Sequence, residues 1–236
     1  MRPDGRQPDE LRPVTLTPNA APYAEGSVLI ALGNTRVLCA ATVEEGVPRW
    51  MEAEGREGGW ITAEYALLPR ATQTRTPRSN WQSSRSQEIR RLIGRSLRAA
   101  FDLSLLGPRT VTVDADVLQA DGGTRTAAVT GGYVAVALAL RPLVAQGLIP
   151  PEVFRSPVAA VSVGVVDGVP LLDLCYEEDT RAEVDMNLVM DAQGRIVEIQ
   201  GTAEGAPFDR ATHDRLLDLA WQGIQRLLAA QREVLG

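Results

Sequence analysis

Residues 110–146 read TVTVDADVLQADGGTRTAAVTGGYVAVALALRPLVAQ, and the change of rhythm inside this stretch decides the fold. From Thr110 to Leu118 apolar and polar residues alternate, with Val111, Val113, Ala115 and Val117 on one face, the period of a half-buried strand. At Asp121-Gly122-Gly123-Thr124-Arg125-Thr126 the alternation stops. An Ala/Val-rich helix follows from about 127 to 146, ended by Gly147 and the Pro150-Pro151 pair.

Similar units lie on both sides. Val28–Leu32 and Arg36–Ala40 flank Gly33-Asn34-Thr35 and read as a hairpin. Residues 44–58, charged and Gly-rich, read as a loop, Gly59–Leu68 as a strand, and 71–84 (ATQTRTPRSNWQSS) as a second loop. Gln87–Leu103 places Ile89, Leu92, Ile93, Leu97, Ala100 and Phe101 at helical spacing, with Ser86 as N-cap. Downstream, Val158–Val166 and Val169–Tyr176 form a second hairpin signal. Val184–Met190 and Ile196–Gly201 add two strands, and Thr212–Leu235 closes with a helix. Strands followed by helices in both halves predict an α+β fold of two related lobes, residues 1–150 and 151–236, in one compact unit with each sheet covered on one face.

The chain of 236 residues has no apolar run near eighteen residues, so no membrane span or membrane partner is expected. Its polar N-terminus lacks the apolar core of a secretory leader, and a cytoplasmic location is expected. Cys39 and Cys175 each sit in a strand-like apolar run and read as buried thiols; with no CxxC and one histidine, His213, no structural zinc site is expected. The net charge of −6 argues mildly against a nucleic-acid partner. Its distribution argues the other way. All 24 basic residues are Arg, and eight of them fall between 70 and 98 against Glu88 alone, a local charge of +7. Arginine's planar fork suits phosphate oxygens.

Three constellations carry chemistry. The glycine turn 122–126 between strand and helix lets backbone approach an anion, with helix N–H groups, Thr hydroxyls and Arg125 as donors; the same pattern also serves as a plain capped turn. The acidic residues Asp173, Glu177, Glu178, Asp179, Glu183 and Asp185 can gather around Mg²⁺ or form a solvated loop; Asp185 fits a solvated loop less well, because Val184, Met186 and Leu188 look partly buried. The segment Pro69–Arg78 can engage a nucleic-acid backbone without reading sequence, or simply move in solvent. His213 reads as a surface residue, Trp60 as core, and Trp81 as a base-stacking or packing residue.

Taken in order, several strings resemble the ribonuclease PH family of phosphorolytic exoribonucleases: Arg2–Arg6, Glu25–Ile30, Gly59–Tyr65 with Leu68–Thr72, Gln87–Arg98, Asp121–Thr126, Asp185–Asn187 and Gln200–Gly205. The resemblance implies a two-lobed fold like domain 2 of ribosomal protein S5 and a homo-hexameric ring, a trimer of dimers. It implies trimming of 3′ extensions from tRNA precursors and other structured RNA 3′ ends. Inorganic phosphate is then the co-substrate, nucleoside diphosphates the products, and the reverse reaction a nucleotidyl transfer. By the same resemblance Arg85, Gly123, Thr124 and Arg125 bind phosphate, Asp179 and Asp185 are catalytic and hold Mg²⁺, and Arg70, Arg75 and Arg78 bind RNA. Two departures from the family pattern stand out: a short loop between Arg78 and Arg85 bearing Trp81, and Ser84 where a glycine is expected.

Two other readings stay open on sequence alone. A non-catalytic RNA-binding ring subunit would lose the phosphate and carboxylate positions, which this chain keeps. A nucleoside phosphorylase would not need the Arg-rich loop, since its substrate has no backbone phosphates.

Overall fold

The structure, a computed structural model, describes residues 2–236. Its first sheet contains β1 (Val14–Pro18), β2 (Gly26–Leu32), β3 (Thr35–Glu45), β4 (Trp60–Leu67) and β5 (Arg109–Gln119) in the order β1-β2-β3-β5-β4. All pairs are antiparallel except β4 with β5. A parallel pair needs a crossover, which is supplied by a helix, α2 (Ser84–Ala100). The short helix α1 (Arg49–Ala53) buries Met51 inside the stretch expected to be a loop.

The second sheet is antiparallel throughout, with β6 (Val158–Val166), β7 (Val169–Leu172), β8 (Val184–Asp191) and β9 (Ile196–Ala203) in the order β7-β6-β8-β9. Every residue of β6 is buried, which explains why VAAVSVGVV runs almost continuously apolar instead of alternating. The closing helix α5 (Arg210–Leu235) packs on this sheet through Leu216, Ala220, Ile224, Leu227 and Leu228.

Between the lobes lies α3 (Thr124–Ala145), buried on nearly all sides along most of its length. It is long and apolar enough by composition to cross a membrane, contrary to the expectation that no such run exists, yet here most of it is enclosed by protein. A helix apolar all round belongs in a core. One continuous apolar core runs from Val28 and Ile30 through Val134 and Leu140 to Val158, Leu188 and Ile224, so the two lobes share their interior. The two sheets divide the chain close to residue 150, but residues 2–12 bond to elements of the second lobe.

Of the boundaries that differ from the sequence reading, two bear on the site. The cap of α2 is Ser83, whose hydroxyl accepts from the Ser86 amide at 3.1 Å, while the Ser86 hydroxyl donates to the Asn80 carbonyl. The helix therefore starts at Ser84, three residues early, and takes Arg85 into its first turn. The strand expected to run to Tyr176 stops at Leu172, because Asp173 adopts φ 55°, a left-handed conformation incompatible with a strand. A short helix, α4 (Tyr176–Asp179), follows, so Cys175 precedes a helix rather than lying in a strand. Both cysteines are buried and unpaired, as expected; burial pushes the Cys39 thiol up to about 12 and leaves it inert.

The sharing of one core demands close approach at Gly26. A Cβ there would stand 2.2 Å from the Ala135 carbonyl oxygen and 2.5 Å from the Ala139 nitrogen, both α3 backbone atoms that cannot step aside. Gly26→Ala is expected to lower the unfolding free energy by about 2–3 kcal/mol, measured as a shifted urea midpoint; an unchanged midpoint would show that β2 and α3 are not held this tightly.

Candidate active site

A cavity of about 890 Å³ opens where the N-terminus of α3 meets α4 and β8. Its floor is the glycine turn. Gly122 (φ 74°) and Gly123 (φ 66°) are both left-handed, and a Cβ on Gly122 would lie 2.5 Å from the Leu174 carbonyl oxygen. The turn thus rests directly on the second lobe, a contact only glycine permits. Gly123 is the N-cap of α3 and offers no side chain to the helix end. Its carbonyl accepts the Ala127 amide at 3.0 Å, so the amides of Thr124, Arg125 and Thr126 precede the first intrahelical bond and carry the helix's partial positive charge.

The structure brings Arg85, Gly123, Thr124, Arg125, Asp179 and Asp185 to this one cavity, together with Arg70 and Arg75 at its rim. Arg78 begins a 3-10 turn (Arg78–Gln82) and is exposed outside the lining, as is Trp81 in the same turn. The other arginines of the basic window do different work. Arg90 donates to the Ala63 carbonyl and pairs with Glu64 at 2.5 Å. Arg98 donates to the Ile61 carbonyl and lies 4.4 Å from the centre of the Trp60 ring. Arg95 forks onto Glu198 at 2.8 and 2.6 Å. Local charge in the sequence therefore overstated the basic surface facing the cavity.

The guanidinium of Arg125 is held by neighbours that sequence reasoning missed. Its Nη1 donates to Gln200 Oε1 at 2.7 Å and lies 3.4 Å from Glu88 Oε2, while Gln200 Nε2 donates to Glu88 Oε1 at 2.7 Å. Tyr65, otherwise a core residue of β4, shares a 2.8 Å hydrogen bond between its hydroxyl and Thr124 Oγ1. Asn187 also lines the cavity, and the two-residue period of β8 puts it on the face of Asp185; that signal was present in Asp185-Met186-Asn187. Pairings across the lobes, such as Gln200 with Arg125, leave no local trace in a single sequence.

The six acidic residues separate cleanly. Asp173 and Glu178 are buried and occupied by Arg12 and Arg2 at 2.6 and 2.7 Å, and Glu183 accepts the Gly168 amide. Glu177 is exposed outside the cavity lining, which leaves Asp179 and Asp185 facing the cavity. Burial, reinforced by the nearby Asp179 carboxylate, pushes the Asp185 carboxyl up to about 6. Loss of water around it at the cavity wall raises Asp179 as well, against the pull of Arg85 and Arg125. Asp185 Oδ1 is buried without a hydrogen-bond partner among the described residues. Among the described residues no group of three His, Cys, Asp or Glu side chains gathers as a ready-made metal cage. Mg²⁺ suits the pair nonetheless, because it takes one or two carboxylates and completes its shell with water and substrate phosphate.

Comparison with known proteins adds to this geometry. Residues 10–142 match the model of the 3′ exoribonuclease family, domain 1, and residues 156–223 match domain 2 of the same family. The chain is 57% identical over 239 residues to ribonuclease PH of Synechococcus sp. strain JA-3-3Ab, covering 100% of this chain and 98% of that protein. Its fold is similar to rice (Oryza sativa) Rrp46, with a TM-score of 0.80, 21% identity and 99% of each chain covered. It is also similar to a chain of the Archaeoglobus fulgidus exosome with RNA bound to the active site, at TM-score 0.80 and 27% identity over 97% of this chain and 91% of that one.

A carboxyl with one oxygen buried and unpaired, as in the half-buried Asp185, weakens the fold when ionised. The folded protein keeps the Asp185 proton up to about pH 6, whereas the unfolded chain releases it near the ordinary 3.8, so ionisation opposes folding above that window. Asp185→Asn should therefore raise stability by about 1–2 kcal/mol near neutral pH in the presence of a chelator. The gain should be full above about pH 6 and vanish as pH falls below 3.8. Denaturant unfolding of both proteins at the two ends of this range checks it; an equal gain at both ends would remove the carboxyl's charge as the cause.

Proposed function

Since the chain belongs to the 3′ exoribonuclease family and is a phosphorolytic 3′-to-5′ exoribonuclease, we propose that the cavity at the head of α3 is where inorganic phosphate attacks the last link of an RNA. The observation that carries this reading is the meeting in one cavity of two kinds of group. Anion donors come from Arg85, Arg125 and the 123–125 turn, and two aspartates with raised affinity for protons face them.

In this proposal Arg85, Arg125 and the α3 amides hold phosphate with one oxygen aimed at the terminal phosphodiester. A new phosphorus–oxygen bond forms, and the bond to the 3′ oxygen of the preceding nucleotide breaks. The products are a nucleoside diphosphate and an RNA shorter by one nucleotide. Asp185, whose carboxyl is pushed up to about 6, delivers its proton to the departing 3′ oxygen. Asp179 and Asp185 would hold Mg²⁺, which when bound would offset charge gathering on the transferring phosphoryl group. Arg85 supports the anion role in another way. A cation in the first turn of a helix opposes the helix dipole by about 0.3–1 kcal/mol, a disadvantage that a bound phosphate reverses.

Arg70 and Arg75 at the rim, with Arg78 just outside, would grip the RNA backbone on its way in. The proposed substrates are tRNA precursors and other structured RNA 3′ ends in the cytoplasm, and the proposed assembly is a homo-hexamer, a reading supported by the likeness to exosome chains.

Incubation with a tRNA precursor bearing extra 3′ nucleotides tests the chemistry. Diphosphates should appear only with inorganic phosphate; monophosphates released without it would mean hydrolysis and refute the reading. Arg125→Ala should slow release about a hundredfold or more, a loss of roughly 3 kcal/mol of transition-state stabilisation. A near wild-type rate would remove Arg125 from the site. The KM for RNA should rise roughly tenfold between about 50 and 200 mM salt if a few arginine–phosphate contacts dominate binding, and a flat response would displace the rim arginines from that role.

A further inference from the structure

The N-terminal segment, residues 2–12, contributes no group to the cavity lining, yet it holds three of the most heavily engaged side chains in the molecule. Arg2 forks onto Glu178, Nε to Oε1 at 2.7 Å and Nη2 to Oε2 at 2.9 Å, and also donates to the Asp173 carbonyl at 3.0 Å. Arg6 donates to the same carbonyl at 3.0 Å. Arg12 forks onto the Asp173 carboxylate at 3.0 and 2.6 Å, and its backbone amide reaches the same group at 2.9 Å. Arg2, Arg12, Asp173 and Glu178 are 7, 3, 1 and 1% exposed, so this is an interior ion network and not a surface one.

Each end of the network leads to a different part of the site. The guanidinium of Arg12 goes on to the carbonyls of Asp121 and Gly122, the residues that open the glycine turn. Glu178, besides receiving Arg2, accepts the Cys175 amide at 3.0 Å and so caps α4, the helix whose last residue is Asp179. The turn and α4 touch each other: the Asp121 carboxylate accepts the Tyr176 amide at 3.2 Å, and Gly122 lies on the Leu174–Tyr176 backbone. The segment itself is fastened to the second lobe, where the Leu172 amide donates to the Pro8 carbonyl and Arg226 to the Asp9 carbonyl.

We propose that residues 2–12 form a clamp between the lobes, in which Arg12 positions the phosphate turn and the Arg2–Glu178 pair positions the helix carrying Asp179. These are positioning residues, since none of them touches the cavity. An interior ion network is weak ground for stability in itself, because desolvation offsets much of its attraction; what it fixes well is relative orientation. Misplacing a reacting group by about 1 Å can lower a rate a hundredfold.

The proposal rests on the phosphorolytic reading, and it predicts a split that a purely structural network would not give. The neutral double variant Arg2→Gln/Glu178→Gln leaves no buried charge unpaired and should lower kcat about tenfold or more, with KM for phosphate within about twofold. Arg12→Lys keeps the charge opposite Asp173 but lacks the fork that reaches Asp121 and Gly122; it should raise KM for phosphate about fivefold or more with a smaller change in kcat. Rates are taken per folded protein, below each variant's melting temperature. Wild-type kcat and KM in both folded variants would overturn the clamp. Should the double variant not fold, Glu178→Asp, one methylene shorter with its charge kept, carries the same test: lowered kcat supports the proposal and unchanged kcat overturns it. A wild-type protein that releases no diphosphate with phosphate present would instead overturn the phosphorolytic reading itself.

Discussion

Phosphate and the two aspartates carry the same sign of charge, and holding them in one cavity is the constraint on which the site is built. At 4 Å and an effective dielectric constant near 20, each such pair of charges repels by about 4 kcal/mol. The site answers with charge of the other sign in the same cavity, from Arg85, Arg125 and the head of α3, and with burial that lets Asp185 keep its proton up to about pH 6. A protonated Asp185 removes one repulsion and supplies the proton that a departing 3′ oxygen requires.

The same constraint explains how the remaining charges are spent. Besides Asp179, four more acidic residues lie in the twelve positions before Asp185, and any of them left free beside the cavity would repel phosphate further. Asp173 and Glu178 are instead neutralised from behind by Arg2, Arg6 and Arg12, and Asp121, which also lines the cavity, is engaged by the Tyr176 amide and Asn34. On the cationic side, Arg90, Arg95 and Arg98 are committed to α2's own packing, to Glu64, Glu198 and the Trp60 ring. The burial of α3 serves the arrangement too. A helix enclosed by both lobes cannot tilt without disturbing the common core, which holds its positive end in place.

What the sequence made legible follows from the range of the physics involved. The strand at Thr110–Leu118, the glycine turn and the amphipathic α2 are local patterns, and each formed close to where the periodicity put it. Among six acidic residues the strand-like neighbours of Asp185 set it apart, and Asp179 was picked through the resemblance; the structure supplies the physical reason, namely that the others have partners more than ten residues away or lie outside the cavity. The run Val169–Tyr176 looked like one strand because nothing local announces that Asp173 will turn left-handed to meet Arg12, 161 residues away. Ser86 looked like a cap, but Ser83 and Ser84 are equally good candidates, and the Ser86 hydroxyl is instead drawn to the Asn80 carbonyl in the preceding turn. Gln200, Glu88 and Tyr65 were missed for the same reason: each owes its place to a partner on another element.

Likeness of fold by itself does not reach the chemistry. At 21% identity the backbone of this chain still follows that of rice Rrp46, which shows how much substitution the two sheets and their central helix tolerate. A scaffold that tolerates so much can carry a catalytic or a purely RNA-holding subunit equally well. The distinction falls on few atoms: whether a guanidinium stands at 85 and at 125, whether the turn keeps its two left-handed glycines, and whether carboxyls at 179 and 185 face them. In this chain all of these groups reach the same cavity, and the Oδ1 of the half-buried Asp185 is enclosed there with no partner among the described residues. An unsatisfied buried carboxyl weakens a fold that could replace it by asparagine. Its presence makes sense if the missing partner is a substrate, so the stability the fold forgoes at Asp185 is the clearest structural mark that this copy of the scaffold does chemistry.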